Sequence, residues 1–355
     1  MTMQELFSMM VEKRASHLHI VPGSPIMVRS NGVLAPLDNR LLSPTDTAAL
    51  VEGFLTEEQR YYFHENKDLS ISQSVPGLSR FRINIFQQRG SVGCVIGTHP
   101  PSPPTIEELG LPDILKQLIL GARQGLILIC GPRGSGKSAT LAALVNYLLE
   151  MRTCQIISLE NPIDYLHKNK KGIICQREIG TDTVSYDSAI ESLPHQQADV
   201  LVTTEFDSYD LVSSIINMAA GGTLCLTTTR APSVAVVLEN IINLYPPHLN
   251  QHVRTLLSVG LEAIIAQTLL QKASGGGLVP AFEVMQGIPA VRGLIREGKI
   301  FQIQNVMATS GREYGMQTQE QALRALVKKN IVTQEEAYSH AVRPEEFKKL
   351  MSLPY

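Results

Sequence analysis

The sequence predicts an α/β protein: a smaller α+β domain, then a larger domain with a largely parallel sheet and a helical C-terminal region. From Leu126 onward, short apolar runs typical of buried strands alternate with segments of helical periodicity, as in parallel α/β sheets. Earlier in the chain, Phe81, Ile83 and Ile85 alternate with polar residues, as in a half-buried strand. The proline-rich segment 100–104 separates the two patterns and predicts a semi-rigid linker.

Composition disfavours several classes of protein. The chain has 355 residues, enough for two or three domains, and its 31 basic and 33 acidic side chains nearly cancel. This balance argues against a nucleic-acid-binding protein, and five dispersed cysteines without a C-x-x-C pair indicate reduced thiols in the cytoplasm. Because no apolar run reaches the length of a membrane span and no signal peptide is recognisable, we expect a soluble, cytoplasmic protein.

The smaller domain is expected at residues 1–98, the linker at 99–111 and the larger domain at 112–355. The elements predicted for the smaller domain are a helix at 2–14, strands at 26–29 and 33–37 joined by a turn at Asn31-Gly32, a helical segment at 44–66, and strands from Ser79 and at Val92–Ile96. Thr105 and Glu108 fit a capping box, which predicts that the next helix starts there.

The larger domain is predicted to alternate strands with helices. Its predicted strands are Leu126–Cys130, Gln155–Leu159, Val200–Thr204 and Leu224–Thr228. A long helix is predicted over about 250–271, closed by the glycines 275–277, and the remainder of the chain is predicted to be mainly helical. There, residues 290–297 are expected to form a short helix with Arg292 and Arg296 one turn apart on one face.

The residues between the first of these strands and the next helix carry the most specific motif. Residues 131–138, Gly-Pro-Arg-Gly-Ser-Gly-Lys-Ser, fit the phosphate-binding loop pattern G-x-x-x-x-G-K-[ST]. Glycines let the backbone wrap a phosphate, the helix N-terminus attracts the anion, Lys137 adds a charge and Ser138 offers a hydroxyl to Mg²⁺. The strand–loop–helix context disfavours the alternative of a glycine-rich turn with a chance lysine. The predicted nucleotide-binding residues are Gly131, Pro132, Arg133, Gly134, Ser135, Gly136, Lys137, Ser138 and Ala139.

Two glutamates follow predicted strands of the larger domain. Glu160 comes directly after the second strand and Glu205 directly after the third. Because the carboxyl ends of parallel strands meet at one edge of the sheet, both carboxylates are expected near the phosphate-binding loop. The alternative is that each is a solvated glutamate at the end of a strand.

Several further segments resemble the hexameric secretion ATPases, and within them the type IV pilus retraction ATPases. Nearly the whole chain takes part in the resemblance, and a zinc-binding cysteine motif of the related pilus-extension ATPases is absent. The segments that resemble the family's are Ala-Ser-His-Leu-His-Ile at 15–20, Arg-Phe-Arg-Ile-Asn at 80–84, Thr-Ile-Glu-Glu-Leu-Gly at 105–110, Gln-Arg-Glu at 176–178, Ala-Val-Arg-Gly-Leu-Ile-Arg-Glu at 290–297 and Gly-Met-Gln-Thr at 315–318.

The resemblance implies a PAS-like N-terminal domain and a RecA-like ATPase core that assemble as a homo-hexamer. It implies that ATP binds between the two domains, with Arg80 and Arg82 completing the site. Glu160 would be the general base, Glu205 would help Ser138 to hold Mg²⁺, and Arg230 falls at a histidine position of the family's catalytic site. The 290–297 helix would belong to the retraction machinery, although solvated surface arginines are the alternative interpretation of that helix.

The chain departs from the family's pattern at several positions. The replacements are Asn161 for an aspartate, Thr223 and Arg230 for two histidines, Phe206-Asp207 where a basic residue is usual, Gly97 for an arginine and His17 for an aspartate. The changes near the nucleotide remove a carboxylate, two imidazoles and a cation from a site whose catalysis depends on positioning and electrostatics. The alternative is that Arg230 serves a neighbouring subunit's phosphate as the histidine does.

Two functions therefore stay open at this point. One is a motor of twitching motility, located in the cytoplasm at the inner membrane, that couples ATP hydrolysis to pilin disassembly through a pilus platform protein. The other is an ATP-binding, hydrolysis-impaired paralogue that assists or regulates a partner retraction ATPase. A DNA translocase also uses a RecA-like core, but the near-neutral charge disfavours it.

Overall fold

The computed structural model describes residues 2–30, 33–99 and 102–352, apart from the side chains of His99 and Arg312. The chain divides into two compact units. One consists of Met1–Pro103 together with the short segment Pro162–Leu166, and the other of Pro104–Asn161 and His167–Tyr355.

The N-terminal unit is built on a six-stranded antiparallel sheet. Its elements are α1 (Met3–Glu12), β1 (His17–Ile20), β2 (Met27–Ser30), β3 (Val33–Pro36), α2 (Pro44–Glu52), α3 (Glu57–Asn66), β4 (Asp68–Val75), β5 (Ser79–Gln88) and β6 (Ser91–His99). The strand order is β3-β2-β1-β6-β5-β4, and neighbouring strands run antiparallel. Phe81, Ile83 and Ile85 are buried as the alternation predicted, and Phe81 stacks on Phe7 of α1 with ring centroids 4.2 Å apart.

The segment 44–66 holds two helices where one helical segment was predicted. The first ends at Gly53, and Thr56, in extended conformation, caps the second with a capping box to Gln59. Strands β1 and β4 were not predicted. The predicted turn at Asn31-Gly32 lies outside the described residues, and the strands on either side of it pair antiparallel.

The capping box of Thr105 and Glu108 forms, but the predicted helix does not follow it. The Thr105 amide donates to the Glu108 carboxylate at 2.7 Å, and the Glu108 amide donates to the Thr105 hydroxyl at 3.1 Å. Gly110 then adopts a left-handed φ of 62°, and Pro112 disfavours helical backbone in the residue before it. The chain therefore makes a single turn, and the next helix, α4 (Asp113–Gly121), begins only after Pro112.

The second unit is built on a seven-stranded sheet with helices between its strands. Its elements up to the last strand are α4, β7 (Gly125–Cys130), α5 (Lys137–Met151), β8 (Gln155–Glu160), β9 (Ile173–Glu178), α6 (Tyr186–Ser192), β10 (Val200–Thr203), α7 (Tyr209–Ala220), β11 (Leu224–Thr229), α8 (Val234–Asn243), α9 (Asn250–Gly260), β12 (Leu261–Gln271) and β13 (Leu278–Gln286). The strand order is β13-β12-β7-β11-β10-β8-β9, with β13 antiparallel to β12 and the other pairs parallel. The prediction of a largely parallel sheet is confirmed, and β9 is an additional strand at its edge.

The predicted long helix over 250–271 is wrong in its second half. Helix α9 ends at Gly260, where a Cβ atom would lie 3.2 Å from the backbone nitrogen of Ala220 in α7. From Leu261 the chain continues as β12, which lies between β7 and β13 and is almost entirely buried. A strand buried on both faces is apolar throughout, so its sequence resembles that of a buried helix. The glycines at 275–277 accordingly lie between β12 and β13 and do not end a helix.

The remainder of the chain is helical after β13, as predicted for that part. Its α-helices are α10 (Pro289–Glu297), α11 (Ile303–Thr309), α12 (Gly311–Tyr314), α13 (Gln319–Lys328), α14 (Gln334–His340) and α15 (Pro344–Ser352). No helix within the described ranges combines the length and the apolar composition that a membrane crossing requires.

Candidate functional site

The phosphate-binding loop lies between β7 and α5, where the sequence predicts it, and two of its three glycines approach β12 closely. A Cβ atom on Gly131 would lie 2.3 Å from the backbone oxygen of Gln267. Gly136 has a left-handed φ of 87°, and a Cβ atom there would lie 2.9 Å from Nε2 of Gln267. The Thr140 hydroxyl of α5 also donates to Oε1 of Gln267 at 2.7 Å. Gln267 therefore packs against the first glycine of the loop, against Gly136 and against α5.

The polar groups of the loop converge on the start of α5. Nζ of Lys137 donates to the carbonyl oxygens of Gly131 and Pro132, both at 2.9 Å. Burial lowers the pKa of Lys137, and the nearby Arg230 lowers it further. The hydroxyl of Ser135 is buried and has no hydrogen-bond partner within the described part of the chain. The first amides of a helix have no acceptor one turn earlier, so those from Lys137 to Ala139 are free to bind an anion.

Threonines fix the carboxyl ends of the strands beside the loop. The Thr203 hydroxyl donates to the Thr227 hydroxyl at 2.6 Å, between β10 and β11. The Thr228 hydroxyl donates to the carbonyl of Thr204 at 2.8 Å, and the Thr229 hydroxyl donates to the carbonyl of Phe206 at 3.2 Å. These bonds hold the two strand ends in register where the residues that follow them enter the site.

Glu160 ends β8 and is 7% exposed. Its Oε1 atom accepts hydrogen bonds from the Ser158 hydroxyl at 2.6 Å and from Nε2 of Gln176 at 2.9 Å. Gln176 lies on β9, and its own Oε1 accepts the backbone amide of His167 at 2.9 Å. The carboxylate of Glu160 is therefore oriented by side chains from its own strand and from β9.

Glu205 is the second residue after β10 and is half-buried, whereas Asn161, which follows Glu160, is exposed. The amide of Asn161 donates to the Thr204 hydroxyl at 3.2 Å. Burial raises the pKa of Tyr186, and the nearby carboxylates of Glu205 and Glu160 raise it further. The structure thus brings the two predicted glutamates together at one sheet edge, with Tyr186 near both.

Thr223 and Arg230 lie at opposite ends of β11. Thr229 pairs with Cys130, so Arg230 follows the strand end beside the phosphate-binding loop. At the other end of the strand, the carbonyl of Thr223 accepts the amide of Gly125, the first residue of β7. Of the two positions that correspond to the family's histidines, only Arg230 lies on the side of the loop.

Arg80 and Arg82 belong to the other compact unit, on the face of β5 opposite Phe81. Nε of Arg80 donates to the carbonyl of Ile163 at 2.7 Å, and its Nη1 donates to the Ser74 hydroxyl at 3.0 Å. Nε of Arg82 is buried and has no acceptor among the described residues. The two acceptors of Arg80 therefore belong to the same compact unit as the arginine itself.

The two arginines of α10 have different environments, so the alternative of solvated surface arginines fits Arg296 but not Arg292. Nη2 of Arg292 forms an ion pair with Oε1 of Glu262 at 2.7 Å, and Nη1 donates to the Ser258 carbonyl at 3.1 Å. Nη1 also donates to the carbonyl of Val259, and Nε donates to the carbonyl of Gly287. Arg296, one turn later, is exposed. The helix predicted at 290–297 is confirmed.

A buried carboxylate that sequence reasoning missed lies under the loop. Glu283 of β13 is 1% exposed and pairs with Ala266 of β12, which pairs in turn with Cys130. Its Oε2 accepts the amide of Val234, the first residue of α8, at 2.9 Å. Burial raises the pKa of Glu283 to about 7, and the nearby Glu320 adds to the shift. Gln267, Thr204 and Tyr186 were missed as well, because they reach the site from elements that are distant in sequence.

Comparison with known proteins places this chain in a family. A family model described as type II/IV secretion system protein matches residues 104–343. The type IV pilus retraction ATPase PilT of Pseudomonas aeruginosa is 35% identical over 98% of this chain and 100% of its own length. The type IV pilus ATPase PilU of the same organism is 37% identical over 99% of this chain and 92% of its own length.

Solved structures agree with these sequence matches. The crystal structure of the pilus retraction motor PilT with bound ADP superposes with a TM-score of 0.90 and 34% identity, covering 98% of this chain and 99% of that one. The Legionella pneumophila ATPase DotB, at 20% identity, shares the fold with a TM-score of 0.79 and covers 94% of each chain. The predicted fold class is confirmed. The chain therefore belongs to the type II/IV secretion system protein family and, within it, to the PilT/PilU branch of type IV pilus retraction ATPases, as a divergent member.

Proposed function

We propose that this chain is an ATP-binding motor protein of type IV pilus retraction, which couples ATP hydrolysis to pilin disassembly in twitching motility. The observation that carries the proposal is the shared sheet edge, where the phosphate-binding loop after β7 lies with Glu160 at the end of β8 and Glu205 after β10. Relatives that match nearly the whole chain are named for pilus retraction.

The residues of the site have distinct proposed roles in ATP hydrolysis. The loop amides and Lys137 bind the phosphates, because they offer hydrogen-bond donors and positive charge at the N-terminus of α5. Glu160 accepts a proton from the attacking water, and its bonds to Ser158 and Gln176 orient its carboxylate for that task. Arg230 stabilises negative charge on the phosphate from the end of β11. Arg80 and Arg82 are further proposed phosphate contacts, and Arg80 must release the carbonyl of Ile163 to act.

The oxygen donors beside the loop fit Mg²⁺. The hydroxyl of Ser138 and the carboxylate of Glu205 are both half-buried and are the hard ligands that this ion prefers. Among the described residues, no group of three or more His, Cys, Asp or Glu could hold a metal ion. A sparse protein shell suits Mg²⁺, which usually keeps waters and binds substrate phosphates. When bound, the ion would neutralise charge on the β- and γ-phosphates.

A second candidate function is an ATP-binding paralogue with impaired hydrolysis that regulates or assists an active retraction ATPase. Two observations favour it. Asn161, beside the proposed base, carries no carboxylate, and Arg230 occupies the one histidine position of the family that lies on the side of the loop. In either function we propose a homo-hexamer in the cytoplasm at the inner membrane, acting on a pilus platform protein.

Titration calorimetry with ATP and Mg²⁺ tests nucleotide binding. Lys137→Ala is expected to weaken ATP binding at least about tenfold, because it removes the ammonium group at the start of α5. Lys272→Ala, an exposed lysine beyond β12, is the matched control and should bind ATP like the parent. Equal affinity in the parent and Lys137→Ala would contradict the assignment of the loop.

Steady-state hydrolysis separates the two candidate functions. The motor is expected to turn over ATP by itself, whereas the regulatory paralogue should do so only weakly and should change the turnover of an added active retraction ATPase. A chain that binds ATP, turns it over slowly and leaves the added ATPase unaffected would support neither function.

A further inference from the structure

Tyr186 opens helix α6 and reaches the sheet edge from outside the strands. Its hydroxyl lies 3.3 Å from the hydroxyl of Thr204, and the side chain is half-buried. Ser185 caps the helix by accepting the amide of Ser188 at 3.2 Å, so the backbone of Tyr186 is fixed at the start of α6. Tyr186 is thus a polar side chain held beside the site by an element that carries none of the predicted catalytic residues.

Thr204 connects Tyr186 to the rest of the site by hydrogen bonds. The Thr204 hydroxyl accepts the amide of Asn161 at 3.2 Å, and its carbonyl accepts the Thr228 hydroxyl at 2.8 Å. Asn161 directly follows Glu160, and Thr204 directly precedes Glu205. One threonine side chain therefore connects the backbone beside the first carboxylate to the backbone beside the second.

A threonine hydroxyl has a single hydrogen and can rotate about its Cβ–O bond. With Asn161 donating to this hydroxyl, a bond to Tyr186 selects one rotor position and keeps an oxygen lone pair directed at the Asn161 amide. Without the Tyr186 hydroxyl, this constraint on the rotor position is lost, and the bond that joins the two strand ends weakens. Burial keeps Tyr186 neutral, because its raised pKa disfavours a phenolate near the carboxylates of Glu205 and Glu160.

We infer that Tyr186 is a positioning residue for ATP hydrolysis, which holds Glu160 and Glu205 at a fixed spacing through the hydroxyl of Thr204. The inference rests on the proposed function for its catalytic consequence, but the hydrogen bonds themselves join only protein groups. Small displacements of catalytic groups cost large factors in rate, so a bond remote from the substrate can affect turnover.

Tyr186→Phe removes only the hydroxyl and is the variant of choice. Single-turnover hydrolysis, with protein in excess over Mg²⁺-ATP, is expected to slow by about tenfold, the effect of one lost hydrogen bond of about 1.4 kcal/mol. ATP affinity is expected to stay within about twofold, because the hydroxyl does not belong to the phosphate-binding loop. Hydrogen exchange without nucleotide should accelerate by about fivefold at the Asn161 amide.

Two comparisons make the test specific. Tyr245→Phe removes the hydroxyl of a buried tyrosine, which accepts from Ser213 at 2.9 Å away from the loop, and it should change neither the hydrolysis rate nor exchange at Asn161. Thr204→Val should slow hydrolysis at least as much as Tyr186→Phe, and Thr204→Ser, which keeps the hydroxyl, should recover most of that loss.

The outcomes distinguish this inference from the proposed function. If the parent protein does not hydrolyse ATP but Tyr186→Phe accelerates exchange at Asn161, the motor function is wrong and the positioning role stands. If exchange at Asn161 and the hydrolysis rate are both unchanged in Tyr186→Phe, the positioning role is wrong whatever the parent does with ATP. A slower rate with unchanged exchange would also overturn it, because the effect would then not pass through the bond between Thr204 and Asn161.

Discussion

His17 and Gly97 face each other across β1 and β6, and a Cβ atom built on Gly97 would lie 3.6 Å from the imidazole carbon Cδ2 of His17. On its other side, His17 pairs with Arg29 of β2, and Gly97 pairs with Arg82 of β5, so these four residues form one row across four strands. The row thus places an imidazole and a glycine between two arginines. The two positions at which the sequence departs from the family's aspartate and arginine are therefore neighbours across the sheet.

We expect the stability effects of restoring this pair to be non-additive. Gly97→Arg alone should destabilise the N-terminal unit, because it adds a third arginine to the row beside His17. His17→Asp with Gly97→Arg should recover about 0.5–1 kcal/mol of that loss, the usual coupling of an exposed ion pair. Urea unfolding of the four proteins of the cycle measures the coupling. His17→Asn is the uncharged control, and an equal recovery with it would exclude an electrostatic origin.

Restoring the family's residues should raise ATP turnover only at positions on the same side of the sheet as the phosphate-binding loop. Asn161→Asp combined with Arg230→His is expected to increase kcat by at least about tenfold, near 1.4 kcal/mol of barrier, if the missing groups limit hydrolysis. Thr223→His is the matched control, because Thr223 lies at the far end of β11 and should leave kcat unchanged. Slower hydrolysis in Arg230→His would instead identify Arg230 as a working catalytic cation.

Substituting the two arginines of α10 should affect different properties: the stability of the protein for Arg292 and pilus retraction for Arg296. Arg292→Ala is expected to lower the free energy of unfolding by about 2–3 kcal/mol, because it leaves Glu262 and the last carbonyls of α9 without their partner. Arg296→Ala, at an exposed position, should change it by less than about 0.5 kcal/mol. Thermal unfolding checks both values. Lost twitching in Arg296→Ala with normal stability and ATP binding would assign this surface to retraction, and wild-type twitching would exclude it.

Glu283 should make the stability of the second unit depend on pH. Its pKa is raised from 4.5 to about 7 in the folded protein, so the folded state binds more protons than the unfolded state between these values. Stability should therefore fall as pH rises from 4.5 to 7, by on the order of 3 kcal/mol. Two charged groups face this carboxyl group: Glu320 raises the pKa of Glu283 and Arg343 lowers it.

Comparing the parent with Glu283→Gln isolates this contribution. The amide oxygen of glutamine can still accept the Val234 amide, so the variant should gain stability over the parent as pH rises. Other titrating groups, including His167 with its pKa lowered by burial, are common to both proteins and cancel in the difference. Glu345→Gln, at an exposed position, is the matched control. Parallel curves of unfolding free energy against pH would contradict the role of Glu283.

Assembly can be tested without any assumption about catalysis. We expect a hexamer when nucleotide is bound, as the family membership of the chain implies. Light scattering at about 50 μM protein, a concentration high enough to populate weak association, should give six times the mass of the chain with ATP and Mg²⁺ present. A mass of one chain under these conditions would contradict the ring.

The parts of the site that could be predicted from sequence are those set by local chemistry. The phosphate-binding loop and the start of α5 depend on glycines and a helix N-terminus within eight residues, so the motif contains its own structural context. Glu160 and Glu205 could be predicted because parallel strands place their carboxyl ends together. The capping box of Thr105 formed for the same local reason, although Gly110 and Pro112 prevented the helix that it usually begins.

The parts that could not be predicted depend on long-range packing. β12 was taken for a helix because burial on both faces removes the polar alternation that identifies a strand. Thr223 was grouped with Arg230 through the resemblance to the family, although the strand predicted at Leu224–Thr228 already lay between them. The contacts of Tyr186 with Thr204 and of Gln267 with the loop join elements that have no sequence pattern in common.

The position of β12 has a consequence for biosynthesis of the protein. Gln267 supports the phosphate-binding loop from behind, and it is 127 residues from Thr140, its partner in α5. A nascent chain therefore exposes the complete loop motif long before the strand that supports it leaves the ribosome. Contacts of such long range close late and slow the folding of the domain. The growing chain acquires its nucleotide site only after residue 271 has been made and β12 has inserted between β7 and β13.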